Sequence, residues 1–96
     1  MITGQQLMAI LKFNKISYQK FAEYLGYKSF TVTHSLTKLE FIPYVVQKKL
    51  SEILGLDLFK EENLKLILES IPERYFIRTK KIKKNDKIVI KNIFKI

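Results

Sequence analysis

Few side chains in this 96-residue chain are suited to covalent or metal chemistry. The absence of Cys excludes disulfides, thiolate nucleophiles and zinc sites built on sulfur, and a single His, His34, excludes a multi-histidine metal cluster. No glycine-rich phosphate loop, no Ser with a suitable His base and no carboxylate set with metal-ligand spacing occurs. Glu61 and Glu62 are better explained by a helix start, where the helix dipole favours acidic side chains. The sequence therefore predicts neither an enzyme nor a bound cofactor.

Basic side chains dominate the charge, with 18 Lys and Arg against 9 Asp and Glu and a formal net charge of +9. Such an excess favours an acidic polymer, above all nucleic acid, or an anionic membrane surface. The charge is unevenly spread, since residues 1–72 carry 9 basic and 7 acidic side chains and residues 73–96 carry 9 and 2. Because 16 of the 18 basic residues are Lys, codon usage in an AT-rich genome is an alternative source of part of the excess.

The elements that must position these side chains belong to one small domain. A chain of 96 residues with 47% hydrophobic residues is long enough to bury a small helical core. No stretch of about 18 apolar residues occurs, and Met1 is not followed by the basic and apolar segments of a secretion signal. We therefore expect a soluble, cytoplasmic protein.

Helix start and stop signals recur throughout residues 1–72. Thr3 and Gln6 have the spacing of a capping box, and Leu7, Ile10 and Leu11 follow at helical spacing. Glycine favours the end of a helix and proline its first turn. The pattern predicts five short helices. Their predicted starts are at Thr3, Ser17, Ser29, Pro43 and Asp57, and their predicted ends include Asn14, Gly26, Gly55 and Pro72.

Residues 73–96 change from helical spacing to aromatic and β-branched runs, such as Tyr75-Phe76-Ile77 and Ile88-Val89-Ile90. Asn85-Asp86 between these runs favours a turn. The pattern predicts a β-hairpin of residues 74–84 with residues 87–96. Because an isolated hairpin is barely stable in water, its apolar side chains would dock on the rest of the chain or on a second subunit. A disordered arm and a single strand paired with a partner are the alternatives.

The segment 17–39 has the spacing of two helices that cross closely. Ala22, four residues before Gly26, is small enough for a crossing helix to approach it. Gly26 permits the positive φ that a sharp turn requires. Val32, six residues after the glycine, is placed to pack in the angle between the helices. This spacing predicts a helix-turn-helix in which the second helix projects outward.

From Leu7 to Phe59 the sequence resembles the lambda-repressor/Cro-like helix-turn-helix family, also called the XRE family. The run Phe21-Ala22-Glu23-Tyr24-Leu25-Gly26-Tyr27 matches the family's alanine, three residues, then glycine. Pro43 and the apolar helix that ends at Gly55 are similar to the family's fourth helix and following turn. The resemblance spans about 53 of 96 residues. It implies a mainly α fold, a compact five-helix lambda-repressor-like bundle over residues 1–72. The residue pattern of residues 73–96 adds a basic C-terminal β-hairpin, strand or arm.

The resemblance implies that the third helix enters the major groove of double-stranded DNA, with Val32 and Leu36 buried. Threonine hydroxyls can bond several base edges, a histidine can donate to guanine or to phosphate, and a phenylalanine can pack on a thymine methyl. Because no Arg or Asn is present in this set, we expect modest discrimination per monomer, or dependence on dimerisation and DNA shape. The residues implied to read bases are Ser29, Phe30, Thr33, His34 and Thr37.

Each of these assignments has a structural alternative. Ser29 would then serve only as a helix cap, and His34 would be an ordinary exposed histidine. Phe30 would pack beneath the connection between the third and fourth helices. Tyr18 and Tyr24 would be packing residues with solvated hydroxyls.

A second set of side chains is implied to contact DNA phosphates. Those around the two helices flank the groove-facing surface, and those of the tail would add affinity through counterion release. The first group is Tyr18, Gln19, Lys20, Lys28 and Lys38, and the second is Arg78, Lys80, Lys81, Lys83 and Lys84.

Apolar residues of the tail are candidates for dimerisation, through a strand that pairs across a twofold axis as in some members of the family: Ile88, Ile90, Ile93 and Phe94. A solubilising tail is the alternative, and a membrane-surface role is disfavoured because these residues do not form a broad helical face. The resemblance implies a sequence-specific DNA-binding transcriptional regulator, of the phage or mobile-element repressor kind, acting as a homodimer. The alternative is a protein-interaction module on the same scaffold, such as an antirepressor, an antitoxin or a phage inhibitor of a host factor.

Overall fold

The computed structural model of the protein describes residues 1–77, which are mainly helical. Five α-helices and a closing 3₁₀-helix make up this part of the chain, and no strand occurs within it. The prediction of a mainly helical chain with five helices is confirmed. No helix among these residues is long and apolar enough to cross a membrane. The helices are α1 (Gly4–Phe13), α2 (Tyr18–Tyr24), α3 (Thr31–Leu36), α4 (Tyr44–Leu54) and α5 (Glu61–Ser70), with the 3₁₀-helix at Glu73–Phe76.

The predicted start signals of the first two helices are confirmed. Thr3 Oγ1 accepts from the amide of Gln6, and Gln6 Oε1 accepts from the amide of Thr3, both at 3.0 Å. Ser17 Oγ accepts from the amide of Lys20 at 3.0 Å. Each bond satisfies a backbone amide that has no partner within its helix. These side chains therefore define where α1 and α2 begin.

Gly26 ends α2 as predicted. Its φ is +97°, in the left-handed region that glycine enters without strain. The amide of Tyr27 donates to the carbonyl of Ala22, and the amide of Gly26 donates to the carbonyl of Glu23, both at 2.9 Å. This pair of bonds is a Schellman motif, which satisfies the last carbonyls of α2 and turns the chain toward α3.

Two helices begin later than predicted. α5 begins at Glu61 rather than at Asp57, and Asp57 Oδ1 accepts from the amide of Phe59 at 3.0 Å. α3 begins at Thr31 with no side-chain cap, and Ser29 Oγ accepts from the amide of Thr31 at 3.2 Å. In both cases the side-chain oxygen closes a turn two residues ahead, a geometry that competes with helix capping. The prediction of Asp57 as a helix cap is wrong, whereas Ser29 still bonds an amide of the first turn of α3, although that helix begins one residue later than predicted.

The chain after α5 does not begin the predicted hairpin. Glu73–Phe76 form a 3₁₀-helix, so the prediction of a strand is wrong for residues 74–77. Tyr75 and Phe76 pack on the core, and the ring of Tyr75 meets that of Phe13 edge-on, with the centroids 5.5 Å apart. Tertiary packing on α1 overrides the local β preference of these aromatic residues. The folded body therefore continues beyond the predicted boundary at residue 72.

The rest of the predicted tail, including its hairpin, strand or arm, lies outside the described residues. The same holds for its predicted phosphate contacts and dimerisation residues, which are Arg78, Lys80, Lys81, Lys83, Lys84, Ile88, Ile90, Ile93 and Phe94.

α1 is the central helix of the described chain. Its residues 7–11 are all buried, which is the pattern of a helix with protein on every side. Phe21 of α2 and Leu50 of α4 are fully buried in the same core, whereas α5 contributes only half-buried side chains. The connections complete the core with Ile2, Ile42, Leu58 and Ile71.

The first residue of α1 lies directly against the end of α3. The amide of Gly4 donates to the carbonyl of Leu39 at 3.0 Å. A Cβ on Gly4 would lie 2.5 Å from the carbonyl oxygen of Thr37 and 2.6 Å from that of Leu39, closer than side chains approach backbone. Glycine is therefore required here by the close approach of two backbone segments. The central helix thereby fixes the position of α3.

Candidate nucleic-acid interface

α3 is fastened to α2 by a buried threonine. Thr33 is fully buried, and its Oγ1 donates to the carbonyl of Tyr18 at 2.8 Å. A hydroxyl can be buried without loss when it has such a partner. The implication that Thr33 reads bases is wrong, because its side chain lies between the two helices.

Thr37 is also buried, one helical turn further on. Its Oγ1 donates to the carbonyl of His34 at 2.7 Å. Side chains four residues apart lie on the same side of a helix, so Thr33 and Thr37 belong to one inner face together with the half-buried Val32 and Leu36. Thr37 is therefore not placed to read bases either, and this assignment is also wrong.

The side chains left on the surface of α3 form a different set. Thr31, Ser35 and Lys38 are exposed, and His34 is half-buried with its ring centroid 6.3 Å from that of Tyr18. We call this set, together with Phe30, the outer face of α3. Thr31 and Ser35 were not predicted. The apolar pair Val32 and Leu36 does not separate Thr33 and Thr37 from Thr31 and Ser35, because the two polar pairs lie at equal angles on either side of it. The sequence alone therefore holds no signal for this distinction.

Phe30 lies at the start of α3 and is 53% exposed. Within residues 1–77 it belongs neither to the core nor to an aromatic pair. Ser29 and Thr31 on either side bond each other, with 2.8 Å between their hydroxyl oxygens. These hydroxyls thus bond each other across Phe30, and the ring itself is largely exposed to solvent.

Gln19 connects α2 to the turn that follows it. Its Nε2 donates to the carboxylate of Glu23 and to the carbonyl of Lys28, both at 2.9 Å. Both amide hydrogens are used in these bonds, and a phosphate oxygen requires a donor. The geometry thus gives Gln19 a positioning role in the α2–α3 turn, and the implied phosphate contact would require one of the two bonds to break.

The lysines implied to contact phosphates are placed around α2 and α3. Lys20, Lys28 and Lys38 are exposed, whereas Tyr18 is half-buried and packs on the core. Ten basic and eight acidic side chains in residues 1–77 give this part of the chain a net charge of only +2. The remaining +7 belongs to residues 78–96, which lie outside the described part.

Two tyrosines of the α2–α3 segment have different environments. Tyr27, in the turn, is 53% exposed. The hydroxyl of Tyr24 donates to Glu52 on α4 at 3.1 Å, and Lys49 lies over its ring, 5.5 Å from the centroid. Partial burial, the hydrogen bond to Glu52 and the charge of that carboxylate, in this order, raise the pKa of Tyr24. Tyr24 therefore ties α2 to α4, and Tyr27 remains at the surface.

No protein-family model, curated protein or solved structure matches the chain. The functional argument therefore depends on the residues and the geometry given above.

Proposed function

We propose that this protein is a sequence-specific DNA-binding transcriptional regulator, a homodimer of the lambda-repressor/Cro-like helix-turn-helix kind that reads the major groove with α3. The observation that carries the proposal is the division of α3 into two faces. Thr33 and its inner-face neighbours fasten the helix to α2, while Phe30, Thr31, Ser35 and Lys38 remain at the surface. A short helix held in this way matches the major groove in width and presents its first residues to base edges.

The charge distribution supports a polyanionic partner. Lys20, Lys28 and Lys38 surround the two helices, and residues 78–96 carry a net charge of +7. Contacts from lysine to phosphate supply affinity that does not depend on sequence, through release of counterions. Specificity is then left to the outer face of α3.

The small size of that outer face favours a homodimer. Six helical residues can contact only a few base pairs, and the set holds no Arg, Asn or Gln for bidentate base pairing. Two copies would place two α3 helices in successive major grooves, about 34 Å apart, and would require an inverted repeat. The kind of regulator proposed is a repressor of a phage or mobile element, as the resemblance of residues 7–59 to the lambda-repressor/Cro-like family suggests.

The test is selection from a randomised duplex pool at near-physiological salt. Thr31→Ala/Ser35→Ala/Lys38→Ala removes polar contacts of the outer face, and Lys65→Ala on α5 is the control with the same loss of charge. Alanine favours helix more than threonine or serine does, so the triple variant should fold at least as well. We expect wild type and control to enrich an inverted repeat and the triple variant to lose it. Equal enrichment by the triple variant and by Phe30→Ala/His34→Ala would show that α3 does not read the DNA.

Tyr27 and Phe30 favour a second candidate function, a protein-docking module. Exposed aromatic side chains are common where proteins bind each other. Such a module, with the same net charge of +9, would bind heparin and bulk DNA without regard to sequence and would enrich no duplex in the same selection. Retention on heparin that depends steeply on salt, together with an enriched duplex, would favour the regulator.

A further inference from the structure

The outer face of α3 has an unusual balance of apolar and hydrogen-bonding groups for a surface that reads bases. Its largest apolar group is the ring of Phe30, which is 53% exposed and can neither donate nor accept a conventional hydrogen bond. Ser35 and Thr31 offer short hydroxyls, of which that of Thr31 is already bonded to Ser29. Arg, Asn and Gln, whose side chains pair with guanine or adenine in bidentate fashion, are absent from this face, which leaves the ammonium of Lys38 and the ring of His34 as its nitrogen donors.

On the edge of the major groove, the 5-methyl group of thymine is the apolar feature that distinguishes one base from the others. We infer that the DNA selected by this protein is specified in each half-site by a thymine whose methyl group packs on the ring of Phe30. This inference rests on the proposed function and names the chemistry by which that surface chooses its DNA.

The backbone around Phe30 supports the assignment. Phe30 has helical φ and ψ of −67° and −12°, and α3 continues from it. The bond between the hydroxyls of Ser29 and Thr31 fixes the residues on both sides of the ring. Because these bonds order the backbone that carries the ring, less backbone freedom is lost on binding than in an unbonded turn.

A second exposed phenylalanine, outside α3, supplies a matched control. Phe41, in the connection between α3 and α4, is 46% exposed, close to the value for Phe30. Phe41→Ala removes the same side chain from a position outside α3. Because Phe30 and Phe41 both lie at the surface, neither substitution opens a cavity in the core, and both variants are expected to fold.

The test replaces each thymine of the selected duplex in turn by deoxyuridine, which removes only the methyl group. Binding is measured by fluorescence anisotropy at fixed salt. For wild type we expect Kd to rise about fourfold when the contacted thymine of one half-site is replaced. We expect it to rise about fifteenfold when the thymines of both half-sites are replaced, because each replacement removes one buried methyl group. Phe30→Ala should bind the thymine duplex more weakly than wild type does. This variant should also bind the thymine and the deoxyuridine duplexes with the same Kd. Phe41→Ala should keep the sensitivity to deoxyuridine.

Phe30→Leu keeps an apolar side chain and should retain part of that sensitivity, which separates loss of the contact from loss of the fold. If a duplex is enriched but no replacement changes the wild-type Kd by more than twofold, the inference is overturned while the proposed function stands. The inference is also overturned if Phe30→Ala remains sensitive to deoxyuridine, since another group would then contact the methyl. If no duplex is enriched at all, the proposed function fails and the inference fails with it.

Discussion

At the scale of the residue, a threonine side chain can be buried when its hydroxyl finds a hydrogen-bond partner. A buried hydroxyl without a partner costs about 1–3 kcal/mol, but Thr33 and Thr37 each donate to a nearby carbonyl oxygen. Threonine is therefore compatible with both faces of α3, and its type alone does not distinguish them. Ser29 and Phe30 lie at the surface as expected, whereas the tertiary position of α2 buries the two threonines.

Thr33→Val should destabilise the protein without changing which DNA it selects. Valine has nearly the same shape but cannot donate to the carbonyl of Tyr18, so the free energy of unfolding should fall by about 1 kcal/mol. Thr31→Val is the control, because Thr31 is exposed, and it should change stability by less than about 0.5 kcal/mol. Urea denaturation followed by circular dichroism measures both. If Thr33→Val has unchanged stability but selects a different DNA sequence, Thr33 contacts bases after all.

Tyr24 gives the fold a dependence on alkaline pH. Because the pKa of Tyr24 is raised in the folded chain, its contribution to stability is complete below the usual tyrosine pKa of about 10 and is lost as pH rises through the raised value. Titration followed by absorbance near 295 nm should show that the pKa of Tyr24 lies above the usual tyrosine value, as a late step in the curve. Tyr24→Phe should remove this step, and Glu52→Gln should move it to lower pH. An unchanged late step in both variants would assign it to another tyrosine.

At the scale of the element, residues that act on their immediate neighbours were predictable. Thr3, Ser17 and Gly26 end or begin helices through bonds that span only three to five residues, so local sequence contains what is needed. The prediction that Asp57 caps α5 fails because an aspartate closes a turn two residues ahead as readily as it caps a helix. The prediction of a strand at Tyr75 fails because its ring packs on Phe13, which is distant in sequence and so leaves no local signal.

Gly26→Ala should weaken the α2–α3 turn through the backbone alone. No atom lies within 4 Å of where the Cβ of residue 26 would be, so the cost arises from the φ of +97° and amounts to about 1–2 kcal/mol. Gly26→Asn should cost less, because asparagine tolerates the left-handed region better than alanine does. Thermal denaturation of the two variants tests the order. A larger loss for asparagine would indicate crowding rather than backbone strain.

At the scale of the whole molecule, the charge is divided between a nearly neutral body and a basic C-terminal segment. Residues 1–77 have a net charge of +2, and residues 78–96 have a net charge of +7. Most of the charge that would hold DNA thus lies outside the part of the chain that carries the outer face of α3. In the proposed regulator, selectivity and general affinity are therefore separable by substitution.

Replacing Lys80, Lys81, Lys83 and Lys84 by alanine should weaken binding to all duplexes about equally. The slope of log Kd against log salt concentration should flatten by up to about 3–4 units, because each lost phosphate contact removes about 0.9. The control replaces four exposed lysines of the described body, namely Lys12, Lys48, Lys60 and Lys65. Anisotropy titrations at several salt concentrations measure the slope. Equal flattening by the control would mean that overall charge, and not contact by the tail, attracts DNA.

The contact between Gly4 and the end of α3 has a consequence for the rates at which backbone amides exchange with solvent. The amide of Gly4 donates to Leu39, and the amide of Ile42 donates to Ile2, so residues on both sides of α1's start are bonded to the segment that follows α3. A helix of six residues does not persist in isolation, and chain termini usually exchange first. Here the amides of Gly4 and Ile42 should exchange only when the core around α1 opens. The first residues of the chain and the helix proposed to enter DNA would then unfold as one cooperative unit.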